Sequence, residues 1–117
     1  SSSVIVMSSA SEAVFNDEHL DFLVNFGKFS KSDSSTADTT IWKASKNYAR
    51  LQDKELQAFL SSLASALKAA HYKLVSNTKA PIIYQLDTDD YTYRVEIKTE
   101  PSARGTNVLI SAQKIKV

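Results

Sequence analysis

Cysteine is absent from this 117-residue chain, and glycine and proline occur twice each. Without cysteine there can be no disulfide, thiol nucleophile, iron–sulfur cluster or cysteine-ligated zinc. With glycine only at Gly27 and Gly105, neither phosphate loop, G-x-G-x-x-G or G-x-x-x-x-G-K-[ST], can be written. The G-x-S-x-G serine-nucleophile motif fails for the same reason. The two histidines, His19 and His71, stand far apart in sequence, and no H-E-x-x-H is present. No apolar run approaches the ~18–20 residues of a membrane-spanning helix. The longest near the start, Val4-Ile5-Val6-Met7, is too short even for a signal-peptide core. No N-x-[ST] glycosylation sequon occurs.

What the chain does have is hydroxyl groups and balanced charge. Seventeen Ser and eight Thr make up about a fifth of it, and the net charge is +1 from 14 basic and 13 acidic residues. A hydrophobic fraction of 43% is close to that of ordinary globular domains, which points to a packed core rather than disorder. The length suits one domain. The charge is unevenly spread. Residues 1–40 carry six acids against Lys28 and Lys31, whereas residues 41–80 carry seven bases against Asp53 and Glu55. The plain expectation is that the two thirds face each other in the fold; a partner-facing basic patch is the alternative. The start at Ser-Ser-Ser rather than Met, the Ser-rich leader and only three arginines lead us to expect a processed, exported bacterial protein, with any signal or lipid anchor upstream.

Residues 1–12 read as a flexible Ser-rich tail, with Val4–Met7 a candidate addition to a sheet edge, and 13–117 as a single α+β domain. Residues 17–29 fit two templates. Leu20, Leu23 and Val24 have helical spacing, with Asn16 or Asp17 as cap and Gly27 as stop, while Leu20, Phe22, Val24 and Phe26 alternate as in a strand. The acidic first turn and Gly27 favour helix. Residues 30–40 lack any large apolar group and read as a mobile loop. The β-branched and aromatic content of Thr39–Ser45 favours a strand, although Ile41, Ala44, Tyr48 and Leu51 also suit a helix.

The clearest element is a helix over 54–71. Leu56, Phe59, Leu60, Leu63 and Leu67 fall on one stripe about 100° wide. Asp53 is the expected N-cap. The opposite face, with Ser61, Ser65 and Lys68, is small and nearly uncharged. Beyond it the period becomes two. Tyr72–Val75 and Pro81–Asp87 read as strands. Tyr91–Glu100 places Tyr91, Tyr93, Val95 and Ile97 on one face and Arg94, Glu96 and Lys98 on the other. Residues 101–107 read as a turn. Asn107–Val117 reads as a last strand whose apolar phase slips from Val108/Ile110 to Ile115/Val117, which implies a bulge or burial on both faces near Ala112. The expected fold is therefore α+β, one main helix on an antiparallel meander of four to five strands, with a helix or strand at 17–29. A helix followed by a meander resembles cystatin-like and helix-grip domains in architecture, but the Q-x-V-x-G loop of cystatin inhibitors is absent, since Gln85 is followed by Leu-Asp-Thr-Asp.

No catalytic, cofactor or metal residues stand out. Asp87-Thr88-Asp89-Asp90 has carboxylates suited to Ca²⁺ but lacks the EF-hand pattern, and is expected to be a hairpin turn. On the Tyr91–Glu100 strand, tyrosines and basic residues lie on opposite faces, which suits core packing and not base stacking, so nucleic acid is disfavoured. The expected function is a monomeric, non-catalytic protein-binding domain, with Trp42, Tyr48, Ser61, Ser65 and Lys68 as contact residues. The alternatives are a carrier of a small apolar ligand held between helix and sheet and a carboxylate-based hydrolase.

Overall fold

Period-two alternation after the helix builds most of the sheet. In the computed structural model, which describes residues 14–77 and 81–117, the strands are β1 (Ser30–Lys31), β2 (Thr39–Ala49), β3 (Lys73–Ser76), β4 (Ile82–Asp87), β5 (Tyr91–Ser102) and β6 (Gly105–Lys116). They form one antiparallel sheet in the order β1-β2-β6-β5-β4-β3. The fold is thus α+β with six strands rather than four or five. The sixth is β1, a two-residue edge strand inside the segment read as loop, with Ser30 opposite Lys43. The loop that follows is tied by its own hydroxyls. Ser35 Oγ accepts from the Ile41 amide at 3.0 Å and Thr36 Oγ1 from the Thr39 amide at 3.2 Å. The tail and the Val4–Met7 edge addition lie outside the described residues.

The β5–β6 hairpin is longer than the alternation suggested. Pro101 pairs with Thr106 and Ser102 with Gly105, leaving a two-residue turn at Ala103–Arg104. Gly105 is required by close approach, because a Cβ there would meet the Tyr48 carbonyl oxygen of β2. The phase slip in the last strand is not a bulge in β6. Its register with both β2 and β5 is continuous, so Ile115 takes the outer face and Lys114 an inward position.

The main helix, α1 (Asp53–Ala69), lays Leu56, Leu63 and Leu67 on the inner face of the sheet. Leu63 and Leu67 are fully buried there, as are Leu23 and Val95; burial contributes about 1.5–3 kcal/mol for each such side chain. Asp53 is the first helical residue rather than the cap. A 3-10 turn over Arg50–Gln52 leads in, and Gln52 Oε1 accepts the Ala49 amide at 2.8 Å. At the other end the Tyr72 amide bonds the Leu67 carbonyl and the His71 amide bonds the Lys68 carbonyl, both at 3.0 Å. This is a Schellman motif, with His71 at φ 72° in the left-handed position usually held by glycine. Among the described residues no helix is long and apolar enough to cross a membrane.

Within residues 17–29 a helix forms, but it is shorter and more tightly wound than either template described. Asp21–Phe26 is a 3-10 helix. Its period of three stacks Leu20, Leu23 and Phe26 along one side. Leu20 and Leu23 are fully buried, while Val24, which both templates used, is exposed. Gly27 does not end it in a left-handed turn; its backbone is extended, and a Cβ would sit 3.2 Å from the Ala44 Cβ.

Candidate functional site

Three places gather polar chemistry: a buried cluster at Asp17, the outer face of α1, and the outer face of the sheet.

The first explains the phase slip in β6. Lys114 points inward and places its Nζ 2.6 Å from Asp17 Oδ2. Tyr93, on the neighbouring strand, donates its hydroxyl to the same oxygen at 2.9 Å. The His19 amide donates to Asp17 Oδ1 at 2.8 Å, and the Tyr72 hydroxyl to the His19 carbonyl at 2.9 Å. The Trp42 indole N–H reaches the Val14 carbonyl at 3.1 Å. Side chains from β2, β6 and β5, with Tyr72 just before β3, thereby strap residues 14–20 to the sheet. Lys114 also lies 4.3 Å from the Tyr91 ring centre. A groove of about 480 Å³, lined by Glu18, His19, Asp89 and Asp90, opens beside the cluster.

Burial pushes the Asp17 carboxyl upward, but the bonds from Lys114, the His19 amide and Tyr93, with the Lys114 charge, hold it below its ordinary value. Burial first, then the bond to Asp17 and its charge, raises the Tyr93 hydroxyl; burial and the same carboxylate raise Tyr72. Asp17 is therefore ionised with its lone pairs engaged, and the tyrosines stay protonated. These groups anchor the strap and neither give nor take protons near neutral pH. Among the described residues no group of three or more metal-ligating side chains converges. The Asp87–Asp90 segment is a hairpin turn, closed by Thr88 N–H to Tyr91 O at 2.8 Å, with Asp87 Oδ1 accepting from Thr92 at 2.9 Å.

The five expected contact residues do not come together. Trp42 and Tyr48 are buried on the inner face of β2, 6% and 4% exposed. Ser61, Ser65 and Lys68 are exposed on the side of α1 turned away from the sheet. Between the layers, Leu23, Leu63, Leu67, Tyr93 and Val95 pack in one buried cluster.

Sequence reasoning did not single out the outer face of the sheet. Strand register puts Lys43, Ser111 and Glu96 in one row and Ser45, Leu109 and Lys98 in the next. These rows line a groove of about 790 Å³ that also takes in Lys28 and Pro81. Glu96 accepts from Gln113 at 3.1 Å, and Lys98 pairs with Glu100 at 3.1 Å. Among the described residues no carboxylate lies within ion-pair distance of Lys28 or Lys43. Of these lysines only Lys43 belongs to the base-rich stretch 41–80, so the distribution of charge along the chain could not reveal which lysines share a face.

No family model, curated protein or solved structure matches the chain.

Proposed function

We propose that this chain is a non-catalytic protein-binding domain that takes an extended, acidic segment of a partner on the outer face of its sheet. The observation that carries this reading is the groove across β2, β6 and β5, where Lys28 and Lys43 have no carboxylate within ion-pair distance among the described residues, while Lys98 is paired with Glu100 and Glu96 is held by Gln113. An exposed lysine without a counter-ion has no existing ion pair to break before it meets a carboxylate. Leu109 and Pro81 add an apolar contact between the charges. Three strands at about 4.8 Å spacing span roughly 10–15 Å, the length of three to four extended residues. The outer face of α1, with Ser61, Ser65 and Lys68, is the competing surface for a protein partner.

The test uses a fluorescein-labelled peptide of alternating Asp or Glu around a central Leu, followed by anisotropy. Saturable binding is expected, weakened at least about tenfold (1.4 kcal/mol) by Lys28→Glu with Lys43→Glu and lost in 1 M salt, where the Debye length falls to about 3 Å. Ser61→Arg with Ser65→Arg should leave it unchanged. Equal binding by the lysine-reversed variant, or loss only in the helix variant, contradicts the reading.

A further inference from the structure

We infer that Phe26, Tyr48 and Phe59 form a cation site that the chain's own Lys46 occupies and that an external alkylammonium group can take in its place. This site is on the helix side of the sheet and is independent of the outer groove.

The starting point is a lysine in the wrong phase. β2 alternates, and Lys46 shares the inner face with Ala44 and Tyr48, opposite the buried Val108 of β6. Lys46 stays exposed, with its ammonium at the rim of the helix–sheet seam rather than in the core. Among the described residues no carboxylate lies within ion-pair distance of it. Its charge is met by ring faces: its Nζ is 5.0 Å from the Tyr48 centroid and 5.5 Å from the Phe59 centroid, within the range of cation–π attraction.

The rings hold one another in place. Phe59 lies 5.9 Å from Tyr48, and Phe26 meets Phe59 edge-on at 5.8 Å. Tyr48 is buried and cannot turn away. Glu55, from the first turn of α1, lines the same opening and adds negative potential, and the groove measures about 450 Å³. That is within the usual size of small-ligand sites. Lys46 itself is exposed at the rim, and its four-carbon stem can swing its ammonium into water. What remains is an aromatic cage with an acid at its edge, the arrangement that recognises quaternary ammonium groups.

The probe is choline, titrated into the full chain and followed by the ring-proton NMR shifts of Tyr48 and Phe59. The neutral isostere 3,3-dimethylbutanol is the control. Saturable shifts with choline and none with the isostere are expected. Lys46→Gln, which keeps a polar side chain but shortens the stem and removes the competing charge, should tighten binding about threefold or more by raising the open fraction of the cage. Phe59→Leu should abolish it, with Phe26→Leu as the second variant if Phe59→Leu does not fold. Flotation with phosphatidylcholine vesicles separates the sources: choline binding without co-flotation assigns a free ligand, and both together a lipid headgroup. Absence of saturable shifts in both the parent and Lys46→Gln, or equal binding of the isostere, overturns the inference.

Discussion

At the scale of single residues, two positions show where local chemistry yields to the fold. His71 closes α1 in a left-handed conformation at φ 72°, which costs an L-residue about 1–2 kcal/mol. Glycine removes that cost but gains freedom in the unfolded chain. His71→Gly is therefore expected to stabilise by a net ~0.5–1 kcal/mol in urea denaturation. Asp17 is the second. Its carboxyl titrates below the ordinary 3.8 when folded, so the unfolded chain binds its proton first as pH falls. Its contribution to stability is present above that value and is lost as pH drops through the lower native one. Tyr72 and Tyr93 are raised above 10, so their contribution is complete below pH 10 and is lost as pH rises beyond it. Denaturation scans should show a plateau across neutral pH with falls on both sides. Asp17→Asn should flatten the acid limb and lower the plateau.

At the scale of elements, legibility followed how cleanly a period matched one kind of structure. The α1 stripe and the β5 alternation had one reading each, and both elements formed near the expected bounds. Residues 17–29 did not, because a 3-10 helix stacks every third residue and so half-matches the helix and strand templates alike. The last strand was misjudged for a different reason. An apolar phase slip was assigned to backbone geometry, when the backbone is regular and a charge is buried: Lys114 faces inward because Asp17 waits there. No spacing in the sequence links positions so far apart. Buried pairs of this kind are strongly coupled. Lys114→Met alone should destabilise by roughly 2–4 kcal/mol by stranding the Asp17 carboxylate, and adding Asp17→Leu should recover most of the loss. Additive losses in the double-mutant cycle would mean that the strap does not depend on the pair.

At the scale of the whole molecule, the described residues form two layers and leave the outer face of the sheet uncovered. The helix and the strap at 14–29 cover the inner side of the sheet, and on the outer side Lys28 and Lys43 lie without a carboxylate within ion-pair distance among the described residues. The surface expected from composition, the bland side of α1, was legible because helix periodicity names its own exposed residues. The outer groove was not, since it depends on cross-strand register among β2, β6 and β5. Trp42 and Tyr48 were drawn toward the surface by their chemistry as interface residues, yet the core claims them. The measurement that bears most directly on the protein-binding reading is amide chemical-shift mapping of the chain with the acidic peptide. Shifts concentrated at Lys43, Ser45, Lys98 and Leu109 are predicted, with Ser61, Ser65 and Lys68 silent; shifts confined to α1, or none at saturating peptide, would contradict it.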